Sequence, residues 1–137
     1  YEMLRSLVGS EMCIRDREMF KSILENIVSS CSGSVGAILM GYDGIGIDQY
    51  SVDENSLDLN LVGIEYSNVT KEIRNAANIL KVGSLQEVSI KTEHYYVIIH
   101  SLNDEYFVAL LIERDGNYGQ GRYLLMREAP ALRQALV

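Results

Sequence analysis

Apolar residues recur along this chain in two rhythms. From Glu18 to Ser30 they fall at helical spacing, with Phe20, Ile23, Leu24, Ile27 and Val28 on one face and Lys21, Glu25 and Asn26 opposite. Ser29, Ser30, Ser32 and Gly33 end this first helix. Val35 to Met40 then reads as a strand, Gly41-Tyr42-Asp43-Gly44 as a turn whose Asp-Gly pair favours a hairpin, and Ile45 to Tyr50 as the returning strand. Its imperfect alternation, Ile45 and Ile47 against Gly46 and Asp48, suits an edge strand partly in water.

Ser51 to Asp58 is a polar, acidic linker that brings Asp53, Glu54 and Asp58 near a helix start, where negative charge complements the macrodipole. In the second helix, Val62, Tyr66, Val69, Ile73, Ala76 and Leu80 recur in alternating steps of four and three. That is a narrow, coiled-coil-like seam, broadened by Ala77 and Ile79. Packing on a sheet would explain it, and so would contact with a second copy. Glu65, Asn68, Lys71, Glu72, Asn75 and Asn78 occupy much of the remaining surface, and Gly83 is the expected stop.

Glu87 to Lys91 alternates as a short strand. A polar-apolar edge of this kind leaves backbone groups open unless another chain pairs with it. His94 to Arg114 follows as two strand-like runs, Tyr95 to Ile99 and Tyr106 to Ile112, around Ser101-Leu102-Asn103-Asp104. Both arms are almost continuously apolar, which predicts a hairpin buried on both faces at the sheet centre, with helices covering both sides. Tyr118 to Leu136 closes the chain as a third helix with Leu125, Ala129, Leu132 and Leu136 on one side. Pro130 within it predicts a kink or break near Met126 to Ala129.

A length of 137 residues suits one domain able to bury a core without disulfides or a structural metal. The net charge of −7 argues against sequence-independent nucleic-acid binding, which needs clustered Lys and Arg. No apolar run approaches the roughly 20 residues that span a bilayer, so no membrane insertion is expected. Two cysteines, Cys13 and Cys31, fit neither a zinc ribbon nor a disulfide framework, and a reducing, cytoplasmic setting is the default expectation.

Candidate chemistry is sparse. Gly41, Gly44 and Gly46, and Gly116, Gly119 and Gly121, lack the Lys followed by Ser or Thr of a phosphate loop, and neither cluster has dinucleotide-fingerprint spacing in a strand-to-helix turn. His94 and His100 share a strand face but stand too far apart to hold one metal, and Cys31 reads as a small apolar filler. Nothing indicates an enzyme, and neither cofactor nor metal is expected.

The stretch Leu7 to Asp16, LVGSEMCIRD, resembles the in-frame translation of a transposase-type sequencing adaptor, with Tyr1-Glu2-Met3 resembling the end of a flow-cell primer. Residues 1–16 are therefore read as a non-native leader and left out of fold reasoning, which places a single domain at 17–137.

Gly36-Ala37-Ile38-Leu39-Met40 with Asp43-Gly44, Leu80-Lys81-Val82-Gly83, and above all Asn117-Tyr118-Gly119-Gln120-Gly121-Arg122-Tyr123 together resemble the roadblock/dynein light chain family, in particular its prokaryotic MglB-like members. Ala129-Pro130-Ala131-Leu132-Arg133 is similar to the ending of several such proteins. The resemblance covers Met19 to Leu136. It implies a roadblock-like α/β fold of order αββαβββα, with a five-stranded, mainly antiparallel sheet, helix two on one face and helices one and three on the other. It also implies a homodimer in which third strands pair edge to edge and second helices lie side by side, for which Val69, Ile73, Ala76, Leu80, Val88 and Ile90 are the candidate interface. The implied partner is a small Ras-like GTPase, whose hydrolysis MglB-type dimers stimulate without inserting an arginine. Glu65, Asn68, Glu72 and Asn75 are candidates for touching it. The alternative is a profilin-like or PAS-like small-molecule sensor, which needs an internal apolar pocket with a few convergent polar groups.

Overall fold

The computed structural model describes residues 18–53 and 57–136. The segment 1–16, including Cys13, and Glu54 in the linker lie outside them. Helix α1 spans 18–30. It is followed by β1 (Ser34–Gly41), β2 (Gly46–Ser51), α2 (Leu59–Leu80), β3 (Glu87–Lys91), β4 (Tyr95–Ser101), β5 (Tyr106–Glu113) and α3 (Tyr118–Ala135). The element order is the expected one. The strands form one antiparallel sheet in the order β2-β1-β5-β4-β3, which puts β5 at the centre and leaves β2 and β3 as edges.

Strand alternation divides the core into two layers. On one face, Ala37, Leu39, Ile98, Val108, Leu110 and Ile112 meet Phe20, Leu24 and Ile27 of α1 and Leu124, Leu125 and Leu132 of α3. On the other, Ile38, Met40, Val97, Ile99, Phe107 and Leu111 meet Leu59 of α2, with Ile64, Tyr66, Val88 and Ile90 partly buried against them. The near-continuous burial of β5, and of Val97 to Ile99 in β4, follows from having helices on both faces, while Tyr95, Tyr96, His100 and Ser101 at the ends of β4 are half-buried.

One local expectation is corrected, and one of two alternatives at Pro130 is removed. The residue that ends α2 is Lys81, not Gly83. Lys81 takes the left-handed conformation at φ 57 and ψ 40, its N–H reaches Asn78 O at 3.2 Å, and Val82 N–H reaches Ala77 O at 3.3 Å. That is the Schellman pattern with Lys in the place that glycine usually holds. Gly83, at φ 101, shapes the link to β3 instead. Nor does Pro130 break α3, which runs through it from Tyr118 to Ala135. Pro130 and Met126, the residue four before it, both lie on the exposed side, where water can meet the carbonyl that loses its N–H partner.

Candidate functional site

Helix α2 is the element whose surfaces most need an explanation. Asp58 caps it, its carboxylate accepting from Asn60 N at 3.1 Å and Leu61 N at 3.3 Å, a specific role within the acidic linker, which in the sequence reads only as charge near a helix start. The side resting on the sheet is lined by Leu59, Gly63, Ser67 and Thr70, the buried residues of the helix. The two hydroxyls bond back to the preceding turn, Ser67 Oγ to Ile64 O at 2.7 Å and Thr70 Oγ1 to Tyr66 O at 2.6 Å, so burying them leaves no unmet donor. Gly36 and Gly63 let helix and sheet approach closely, since a Cβ at Gly36 would stand 2.6 Å from Leu59 Cδ1.

Packing through small residues turns most of the large apolar seam away from the sheet. Val69, Ile73 and Leu80 are 48%, 36% and 70% exposed, and Ala76 is exposed as well. Ile79 and Val82 enlarge the same apolar surface at the helix end, at 70% and 72% exposed. Val62 and Tyr66 remain half-buried. The apolar spacing in the sequence left open whether the sheet would use the seam. The signal that was missed is the small-residue stripe Gly63, Ser67 and Thr70, which a count of hydrophobic positions overlooks. Glu65, Asn68, Glu72 and Asn75 are all exposed, one residue or so from the seam.

The β3 edge lies on the other side of the same region. Val88 and Ile90 point to the α2 side and are half-buried. The opposite side is polar: Ser89 Oγ accepts from Tyr118 Oη at 2.8 Å, and Glu87 pairs with Arg122 at 2.8 Å. Ser101 N–H bonds Gln86 O and Thr92 N–H bonds Tyr95 O, so even-numbered residues direct their backbone groups at β4. Glu87, Ser89 and Lys91 therefore turn theirs outward from the sheet. The β2 edge is guarded differently, because the Asp48 carboxylate accepts from Gln49 N–H at 2.8 Å and removes a donor that an incoming strand would use.

The remaining titratable candidates are dispersed. His94 is exposed, whereas His100 has a buried Nδ1 without a hydrogen-bond partner, and burial lowers its pKa from the ordinary value, with Arg133 acting in the same direction and Glu87 against it. Cys31 is a buried free thiol whose pKa burial raises, and its Sγ lies 3.4 Å from Asn117 O. Among the described residues no cluster of three or more His, Cys, Asp or Glu could hold a metal, and no helix is long and apolar enough to cross a membrane.

No family model and no curated protein matches the chain. Solved structures do. MglC from Myxococcus xanthus is 39% identical, covering 84% of this chain and 97% of its own, with a TM-score of 0.62. MglB in a tetrameric arrangement is 16% identical, covering 88% of this chain and 89% of its own, at a TM-score of 0.79. A Roadblock/LC7 domain from Streptomyces avermitilis is 15% identical, covering 85% and 96%, at 0.75. The MglB and Streptomyces matches speak to the fold alone, whereas the identity to MglC speaks to descent.

Proposed function

Because this chain belongs to the roadblock family, we propose that it is a non-catalytic homodimer that regulates or scaffolds a small Ras-like GTPase. The observation that carries the reading is an apolar helical seam left exposed next to a sheet edge whose backbone groups point outward. Two copies would join their β3 strands antiparallel and bring their α2 seams together, so that Val69, Ile73, Ala76, Leu80, Val88 and Ile90 leave water.

The chemistry of β3 selects a register. Antiparallel self-pairing centred on Ser89 sets Glu87 opposite Lys91 of the second copy and Val88 opposite its Ile90. Registers shifted by one step along the outward-facing residues lose the charge pairs, and larger shifts oppose like charges. The edge is thus complementary to itself. The tetrameric arrangement of the MglB neighbour supports self-association as a property of such folds.

Glu65, Asn68, Glu72 and Asn75 would then flank the paired helices as an acidic and amide surface for the GTPase. The sensor alternative gains no support from the α2 side of the sheet, where Gly36 and Gly63 bring helix and strands into close approach. Single-turnover GTP hydrolysis by a co-encoded small GTPase tests the proposal, with and without this protein and with Ile73→Asp. Binding of the GTP-loaded form, by wild type and not by Ile73→Asp, is expected. A faster turnover would mark a regulator and an unchanged one a scaffold, and failure to bind either nucleotide state would overturn the reading.

A further inference from the structure

The end of the sheet at which β4 turns into β5 gathers one arginine from each helical layer. Arg74 of α2 lies over the Tyr42 ring, 4.2 Å from its centroid, and donates from Nη1 to Asp104 O at 2.8 Å. Arg133 of α3 donates from Nε to Leu102 O at 2.7 Å. Both tethers end on the same turn. Both arginines line a cleft of about 680 Å³, whose walls also carry Asn78, Ser84, Gln86 and Asn103.

The donors of this cleft exceed its acceptors. Asn103 Oδ1 already accepts from Glu105 N at 2.8 Å and Tyr106 N at 2.9 Å, so the unused hydrogen-bonding capacity of that side chain is mostly its NH₂ group. Among the described residues neither Arg74 nor Arg133 has a carboxylate within ion-pair distance, in contrast to Arg122 with Glu87 and Arg127 with Glu128. In a chain of charge −7, two such arginines at one cleft are conspicuous. Stapling helices to a turn accounts for one N–H of each fork, and Arg133 also complements the C-terminal end of α3. The other N–H groups of both planar forks are left without an assigned partner.

We propose that this cleft binds a phosphate-bearing small molecule, with the phosphoryl group held between Arg74 and Arg133. Two forks arriving from opposite faces of the sheet, with amide donors beside them, supply more hydrogen bonds than the two oxygens of a carboxylate would use. Asp104, the carboxylate in the lining, opposes an anion there, and the two guanidinium charges outweigh it. The cleft is larger than a bare anion and walled by amides and hydroxyls, so the body of the ligand is polar. The site goes beyond the GTPase-regulating role and does not depend on dimer formation.

Titration of the full chain with pyrophosphate, followed through the arginine Nε–H resonances at matched ionic strength, tests the site. Saturable shifts of Arg74 and Arg133 are expected, weakened roughly tenfold or more by Arg133→Gln and by Arg74→Gln and strengthened by Asp104→Asn. Arg133 and Asp104 are exposed, so their variants keep the test valid even if Arg74→Gln unfolds. Linear shifts shared with Arg122 and Arg127 would reduce the effect to general attraction and overturn the site. Saturable binding that survives Arg133→Gln, or equal binding of succinate, would overturn it too.

Discussion

Gly63 of α2 lies so close to Met40 of β1 that a Cβ at position 63 would stand 2.7 Å from Met40 Cε and 2.9 Å from its Sδ. This contact sets the height of the helix above the sheet. Met40 is fully buried, so its thioether has little space into which to withdraw. Gly63→Val is expected to cost about 1–3 kcal/mol through overpacking. Gly63→Ala should cost less, because the end of Met40 can shift and alanine regains up to about 1 kcal/mol of helix propensity. Urea unfolding of the two variants checks the order, and a valine variant as stable as wild type would remove the close approach from the account.

Ser89 sits where a two-fold axis would cross the β3 edge if two copies pair in the charge-matched register. Hydrogen-bonded antiparallel neighbours have Cα atoms roughly 5.5 Å apart, within the reach of a disulfide. Ser89→Cys alone should therefore cross-link under mild oxidation. Glu87→Cys and Lys91→Cys should cross-link each other when mixed, but not themselves. Non-reducing electrophoresis reads the outcome, and self-linking at position 87 would exclude this register.

Lys81 is the non-glycine residue with positive φ among the described residues, at φ 57. An L-residue pays about 1–2 kcal/mol in the left-handed region, where glycine pays nothing. Lys81→Gly should therefore raise the unfolding free energy by about 1 kcal/mol, after allowing for the greater freedom of glycine in the unfolded chain. Chemical denaturation with an unchanged m-value is the measurement.

His100 couples stability to pH. Burial lowers its pKa in the folded protein from the ordinary 6.5, Arg133 of α3 adds to the effect, and Glu87 on the neighbouring strand opposes it. The fold thus favours neutral imidazole, and near pH 6.5 the unfolded chain binds more protons than the folded one. This contribution is fully present above the unfolded pKa and is lost as pH falls through the folded one. Wild type should lose more stability than His100→Gln between about pH 7.5 and 5.5, a window above most carboxylate titration. Parallel curves for the two proteins would count against the assignment.

Much of the fold was legible in the sequence because strand and helix periods are local. The near-continuous burial of Phe107 to Ile112, the alternation of Glu87 to Lys91 and the order of elements can all be read from neighbouring residues. The terminator of α2 could not be read in this way, since glycine propensity favoured Gly83 and the Schellman bonds close on Lys81. That α3 passes Pro130 without a break was not legible for a related reason: the cost depends on whether water reaches the freed carbonyl, which only the packing of α3 determines.

By itself the sequence determined which residues of α2 are apolar and which strands are short and half-polar. The tertiary structure decided how they are used. Hydrophobic periodicity ranks positions by their cost in water, whereas packing also selects for volume, and Gly63, Ser67 and Thr70 let α2 settle nearer the sheet than the larger seam residues would allow. That choice leaves Val69, Ile73 and Leu80 exposed. Likewise, no local pattern could reveal that Arg74 and Arg133, which are far apart in the chain, would be tethered to one turn, because their meeting depends on the layers that α2 and α3 occupy on opposite faces of the sheet.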